Sequence, residues 1–307
     1  MRIAVIPAST NTGTAAIESL LSSSHPAVEV HAVYRNLAKV PADFAAYPNF
    51  HAVQGDVLEG SGLDLTGCDA VLAITPPAYE SEDIVLHAKT VSQNVKDAIE
   101  RSGSVKRLVL LSSGGAQHDT GVGEIKTNNM AERVFSTTDI PAITFVRCAY
   151  FMSNWTSNVE SLKAPEPFFY TVVTPLDYGM PMIALDDIGS VLATELRKET
   201  APPSKPYIFE LHGPRRYTPL DVQSAFSKAL NKDVAVKPIG PDQLQGFFAH
   251  VFPATIVDAM VEMTLSFLPG GLIDASAINY DEVNIVQGTT ELETFIARAV
   301  AKKMPTS

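Results

Sequence analysis

Over the first 150 residues, short apolar runs alternate with segments of helical period, and this alternation restricts the fold more than any other feature of the chain. Residues 2–6, 28–34, 50–54, 70–75, 107–112 and 142–147 are dominated by Val, Ile, Leu, Ala and aromatic residues, as expected of strands buried in a sheet. Between them the period changes. Ile17, Leu20 and Leu21 share one face of a helix expected to start at Gly13 and to stop over Ser22–Pro26. Ile84, Ala88, Val91, Val95 and Ile99 form the buried stripe of a longer helix. Ser81 is its expected N-cap, Glu82 and Asp83 suit the positive end of its dipole, and Gly103 suits its C-terminus. Another helix is expected over 124–137. Strand–helix–strand order of this kind calls for a parallel sheet covered on both faces, a doubly wound α/β fold.

After residue 150 the rhythm breaks. The proline-rich stretch 161–181 reads as loop with a short strand. Asp186-Asp187 opens a helix, and 206–211 returns a strand. Thr218-Pro219-Leu220-Asp221 combines an N-cap, a proline at the first helical position and an acid at the third. Val222, Phe226, Ala229 and Leu230 make the stripe of the helix that follows. Residues 241–266 read as helical, and Thr290–Glu293 starts a last helix packing Leu292, Phe295, Ile296, Ala299 and Val300. The expected division is a nucleotide-type sheet domain over 1–150, completed by 186–212, and a smaller substrate-binding cap from 151–185 and 213–307.

Charge narrows the partners. The chain has 23 Lys and Arg against 34 Asp and Glu, a net −11, and no basic stripe, which argues against direct nucleic-acid binding. Cys68 and Cys148 are the only cysteines; they exclude a disulfide framework and a Cys-based zinc site and fit a reducing compartment. No apolar run approaches the roughly 18–20 residues of a membrane span, and Pro7 interrupts the first run too early for a secretory core. No His, Asp or Glu cluster has metal-ligand spacing, so no metal is expected. The expectation is a soluble, cytoplasmic monomer or homodimer without a membrane partner.

Ligands of doubly wound folds sit beyond the carboxyl ends of the strands, so the residues after each strand matter most. The first loop runs Pro7, Ala8, Ser9, Thr10, Asn11, Thr12, Gly13. A dinucleotide loop needs glycine at the turn, at the closest approach of the pyrophosphate and at the helix–strand contact. Only the last, Gly13, is present; Pro7 and Thr10 stand at the other two. The amides of Asn11, Thr12 and Gly13 can still receive an anion at a helix N-terminus, or this is an ordinary strand-to-helix loop. After the second strand come Arg35, Asn36 and Lys39, where an acid would select a ribose 2′-hydroxyl and an arginine accommodates a 2′-phosphate. Arg35 thus favours NADP(H), unless it is a solvated strand-end residue. Gly55-Asp56-Val57 after the third strand can meet an adenine edge or simply turn the chain. Thr75, Pro76 and Pro77 close the fourth strand over the same groove.

The frame Ala8 to Gly13, Arg35-Asn36, Gln54-Gly55-Asp56 and Lys106 to Ser113 resembles the NmrA-like family, a branch of the atypical short-chain dehydrogenase/reductases. Further pieces agree in order and spacing: Thr127 to Glu132, Phe145-Val146-Arg147, Tyr150 to Trp155, Asp187-Ile188-Gly189, Gly213 to Tyr217 and Gly288 to Leu292. The resemblance implies a Rossmann NADP(H)-binding domain with a small C-terminal substrate domain. It also implies one of three roles: carbonyl or quinone reductase, redox-sensing regulator, or tailoring enzyme of secondary metabolism. Two departures stand out. The family loop usually has three glycines, of which two are Pro7 and Thr10 here. The Tyr-x-x-x-Lys pair of ordinary short-chain dehydrogenases is absent too, because no tyrosine occurs between residues 114 and 149.

Other groups must then carry the chemistry. Ser112 and Ser113 end the fifth strand and can orient a carbonyl, or only close strand-end hydrogen bonds. Lys126 can polarise a carbonyl or hold a ribose, and reads equally as a solvated helix lysine. Asn128 and Asn129 can hold a carbonyl oxygen or cap a helix. Glu132 is expected to play a structural part, paired with Arg147. Tyr150, Phe151, Asn154 and Trp155 follow the sixth strand and either contact an aromatic substrate or wall the core of the cap. Two functions remain: an NADP(H)-dependent oxidoreductase of a small aromatic, quinone-like or polyketide carbonyl compound, or a protein of the same fold without redox turnover. The second would be an NADP-sensing regulator or a dehydratase or cyclase.

Overall fold

The computed structural model describes residues 1–22, 27–156 and 160–304. The chain begins β1 (Arg2–Ile6), α1 (Asn11–Leu21), β2 (Glu29–Tyr34), β3 (Phe50–Gln54), β4 (Ala70–Ile74), α2 (Ile84–Ser102), β5 (Arg107–Ser113), α3 (Lys126–Phe135) and β6 (Ala142–Cys148). It continues β7 (Tyr150–Phe151), β8 (Phe168–Thr171), β9 (Met180–Ile183), α4 (Leu185–Arg197), β10 (Tyr207–His212), β11 (Arg216–Tyr217), α5 (Pro219–Leu230) and β12 (Ala235–Pro238). It ends α6 (Leu244–Val251), α7 (Ala254–Phe267), β13 (Ile285–Gln287) and α8 (Leu292–Lys303).

The main sheet has eight strands in the order β13-β10-β6-β5-β4-β1-β2-β3. Read from β3 to β6, this is 3-2-1-4-5-6, the doubly wound Rossmann order, with the strand order reversing between β1 and β4. The pairs β1–β2, β1–β4, β2–β3, β4–β5 and β10–β13 are parallel. Every residue of β4 and all of β5 except Ser113 are buried, which is why these runs contain so little polarity.

The chain divides into two compact units. The first comprises Met1–Asp119, Ile125–Arg147 and Ile188–Phe209, and the second Thr120–Glu124, Cys148–Asp187 and Glu210–Ser307. In the first, Ala4, Ile6, Val71, Ala73, Leu108 and Leu110 of the sheet pack with Val91, Val95 and Ile99 of α2 and with Phe135 of α3. Burying each large aliphatic side chain there contributes about 1.5–3 kcal/mol. On α4, Leu192, Ala193 and Leu196 are buried, and a Cβ on Gly189 would stand 2.4 Å from the Ala15 carbonyl oxygen, so only glycine lets α4 lie this close to α1. Arg197 Nη2 then donates to the last turn of α1 at Leu20 O, 2.7 Å.

In the second unit β11, β9 and β7 form one small sheet and β12 and β8 another. Its core joins Trp155, Phe169, Met182, Tyr217, Phe226 and Ile296. The buried Asp274 organises the chain after α7: it accepts from the amides of Gly270 and Ser276, from the Ser276 hydroxyl and from the Tyr178 hydroxyl at 2.7–3.0 Å.

Several boundaries differ from the expected ones for local reasons. Helix α1 starts at Asn11 rather than Gly13, because Thr10 caps it. Helix α2 is capped by Asp83, whose carboxylate accepts from the Val85 and Leu86 amides, while Ser81 only donates to the Asp83 carbonyl. Residues 241–266 split into α6 and α7 at Pro253, which has no N–H to continue a helix. Thr290 does not cap α8; its hydroxyl is bonded to Asp187. The proline-rich stretch holds two strands, β8 and β9, instead of one. Of the stop expected over Ser22–Pro26, Ser22 is the C-cap of α1 and the rest lies outside the described residues. Both cysteines are buried and free, and burial pushes the Cys68 thiol up to about 11. Among the described residues no helix is long and apolar enough to cross a membrane.

Candidate functional site

The sheet order reverses between β1 and β4, and the loop after β1 stands at that point. Its amides are partly committed. Ala8 N donates to Val33 O of β2 at 2.8 Å, so the loop leaves β1 as an extension of the sheet. Thr10 Oγ1 accepts from Gly13 N at 2.9 Å, and Thr14 N closes the first helical bond to Thr10 O. The cap therefore takes one of the three amides expected to meet an anion. Asn11 and Thr12 remain at the positive end of the α1 dipole, with Ser9 exposed beside them. Gly13 is required by close packing: a Cβ would stand 2.9 Å from both Ala8 O and Thr10 Oγ1 and 3.0 Å from Pro7 O.

Arg35 and Lys39, just past β2, are exposed, and among the described residues neither has an ion-pair partner. Asn36 is a local cap, its Oδ1 accepting from Ala38 N at 2.9 Å. Asp56 is also a turn former: its Oδ1 accepts from Leu58 N and Glu59 N, and its own amide donates to Ser61 O. Val57 packs into the core, and Asn94 donates to its carbonyl. After β4, Thr75 and Pro76 are half-buried and Pro77 is exposed.

At the end of β5 lies a buried polar cluster. Ser112 Oγ donates to Glu132 Oε1 at 2.6 Å. Arg147 donates to the same carboxylate through Nε and Nη2, at 2.9 and 2.7 Å, and to Gln117 Oε1 at 3.1 Å. The fork pairing satisfies both oxygens of an acid that is only 6% exposed. Ser113 donates to Gly114 O. Asn129 does not cap a helix; its amide donates to Ala116 O at 2.8 Å and pins the turn after β5. Lys126 opens α3, and Lys126 and Asn128 are both half-buried.

The remaining candidates belong to the second unit. Trp155 is a core residue, 6% exposed, with Nε1 donating to Met182 Sδ at 3.3 Å and its ring edge-on to Phe169. Tyr150 packs between Trp155 and Phe267. Burial pushes its phenol up to about 12, against a hydrogen bond with Asn154 that lowers it. Phe151 is registered with Ile183 in the small sheet. Other resembling pieces also hold backbone together. Asp187 receives the amide and hydroxyl of Thr290, and a Cβ on Gly288 would stand 2.4 Å from Asp187 Oδ2. Gly213 N donates to Met182 O, which a Cβ there would meet at 2.3 Å.

Residues 8–197 match the model of a family described as NAD(P)H-binding. The chain belongs to the NAD(P)H-binding family. No curated protein matches the chain in sequence. Among solved structures, triphenylmethane reductase of Citrobacter sp., complexed with NADP(H), is 21% identical with a TM-score of 0.72, over 97% of this chain and 99% of that one. An NADPH-dependent quinone oxidoreductase of Escherichia coli, complexed with NADPH, is 20% identical with a TM-score of 0.72, over 97% and 99%. NmrA, a negative transcriptional regulator, in complex with NADP, is 16% identical with a TM-score of 0.66, over 98% and 96%. The fold shared with these proteins agrees with the NmrA-like resemblance.

For a member of the NAD(P)H-binding family, the fit of the site is uneven but real. The close approach at Gly13, the α1 N-terminus and the cations after β2 all suit an anionic dinucleotide. The loop itself offers fewer amides than a glycine-rich one. Sequence reasoning missed two things. One is the capping role of Thr10, whose signal was a threonine three residues before Gly13. The other is the convergence of Glu29, His31 and His51, whose donor atoms lie within 4.8 Å of one another. Spacing along one strand cannot reveal a partner supplied by the next.

Proposed function

We propose that the chain is an NADP(H)-dependent oxidoreductase that reduces a small aromatic, quinone-like or polyketide carbonyl compound, in the manner of a secondary-metabolic tailoring enzyme. The observation that carries this reading is Arg35, an exposed cation without an ion-pair partner among the described residues, placed after β2 where a ribose 2′-phosphate reaches. Lys39 adds a second positive charge. The two reductases of similar fold, solved with NADP(H) and NADPH, support the same cofactor.

Bound in this groove, the cofactor supplies a hydride. Asn11 and Thr12 would hold its phosphates, and Arg35 with Lys39 its 2′-phosphate. The chain's own residues set the proton side. The Ser112 hydroxyl hydrogen is engaged by Glu132 Oε1, so towards a substrate it presents lone pairs and not a donor. Asn129 keeps one amide hydrogen beyond its bond to Ala116, and Asn128 and Lys126 carry further donors. Quinone-like acceptors suit such a set best, because reduction leaves a stabilised phenolate that water can protonate, whereas a simple ketone leaves a strongly basic alkoxide.

The claim on Gly13 N by Thr10 and on Ala8 N by Val33 favours a second reading, in which the fold binds NADP(H) as a sensor or has turned to dehydratase or cyclase chemistry. Titrating NADPH and NADH into the protein and its Arg35→Ala variant tests the first. NADPH should bind more tightly than NADH. Arg35→Ala should weaken NADPH by about tenfold or more, the worth of a charged hydrogen bond, and leave NADH unchanged. Equal affinities, or no binding of either, would sink the proposal. Consumption of NADPH in the presence of a quinone then separates reductase from sensor.

A further inference from the structure

The amino-terminal end of β2, opposite to the end that carries Arg35, holds a cluster with no part in the proposed reaction. In the register of β2 and β3, His31 pairs directly with His51. Glu29 precedes His31 by two residues, and alternate residues of a strand share a face. The imidazole rings stand 5.1 Å apart, tilted by 51°. Among the described residues, no ring nitrogen of either histidine makes a hydrogen bond. Donor atoms of all three residues lie within 4.8 Å of one another.

We propose that Glu29, His31 and His51 form a binding site for a divalent transition-metal ion of the zinc type, with water completing the coordination. Two imidazoles and a carboxylate are a donor set that such a borderline ion accepts, and no thiolate joins them. The strands hold the three residues side by side, as a site with donors at about 2.0–2.2 Å from one ion requires. Arg2 fixes the carboxylate: its Nε donates to Glu29 Oε2 at 3.0 Å, which leaves Oε1 for the ion. Since β3 is the outermost strand of the sheet, the ion would tie that edge to β2.

The test uses the full chain, freed of metal with a chelator. Zinc titrated by calorimetry should bind one ion per chain and raise the thermal midpoint, as any ligand of the folded state does. Cobalt in its place should give the visible spectrum of a four-coordinate nitrogen and oxygen site. His51 is exposed, so His51→Gln should keep the metal-free midpoint of the parent and lose affinity by about tenfold or more. Glu29→Gln, which preserves shape but not charge, should weaken binding as well. Failure of the parent chain to bind zinc, or equal binding and equal stabilisation in His51→Gln, would overturn the site.

Discussion

Thr10 decides how the first loop meets α1. Its hydroxyl claims the Gly13 amide that a glycine in its place would leave to a ligand. Thr10→Gly should therefore strengthen NADPH binding severalfold, read by calorimetry, while costing only a few tenths of a kcal/mol of stability, since glycine is itself a fair N-cap. A weaker complex would show that the threonine helps the nucleotide. At Arg147 the effect is on stability. Removing it strands the Glu132 carboxylate, 6% exposed, with Ser112 as its remaining partner. Arg147→Ala should destabilise by about 3–5 kcal/mol in urea unfolding, the range for breaking a buried pair. The Glu132–Arg147 pairing was legible because both residues stand in pieces that resemble the family. The burial of Trp155 and the bond from Asn129 to Ala116 left open readings, because each depends on what the chain places opposite, and no local pattern encodes that.

Caps and turns show how far local sequence reaches. Thr218 and Asp221 form the reciprocal box that their spacing implies, since both partners lie within one turn. Helix α2 starts two residues later than Ser81 suggests, because Ser81 and Asp83 are both good caps and the charged one wins at the positive end of a dipole. Asp274 lies beyond such reading, since its partners Gly270, Ser276 and Tyr178 span nearly a hundred positions. Burial alone would raise its pKa, but the Gly270 and Ser276 hydrogen bonds outweigh this and, with Tyr178, hold the carboxyl at about 2. Because the folded value lies below the unfolded one, its contribution is complete above about pH 4 and is lost as pH falls toward 2. Asp274→Asn should cost about 2 kcal/mol at pH 7. Thermal midpoints measured against pH should show that gap closing between pH 4 and 2, whereas a gap constant across this range would mean that the carboxylate charge contributes nothing.

The alternation of strand and helix made the doubly wound fold of β1 to β6 legible, because most of these runs are buried and each helix shows one apolar stripe; β3, at the sheet edge, has no buried residue. The small strands β7, β11, β12 and β13 carry too few residues for any period to show. The first unit also draws on a distant segment, 188–209, whose helix α4 meets α1 at Gly189 and bonds it through Arg197. A fragment of residues 1–150 lacks that cover. It should unfold without a sharp urea transition and bind a hydrophobic dye that the whole chain does not; a cooperative, dye-free fragment would show α4 to be dispensable.

The same discontinuity sets a timetable at the ribosome. After Arg147 is made, the ribosome must pass through Cys148–Asp187 before the first unit receives its last piece, ending at Phe209. At about 5–20 residues per second, the nascent sheet waits roughly 3–12 seconds with one flank of α1 bare. Rare codons placed within that interval would lengthen the wait, and recruitment of a holding chaperone to the growing chain should lengthen with it.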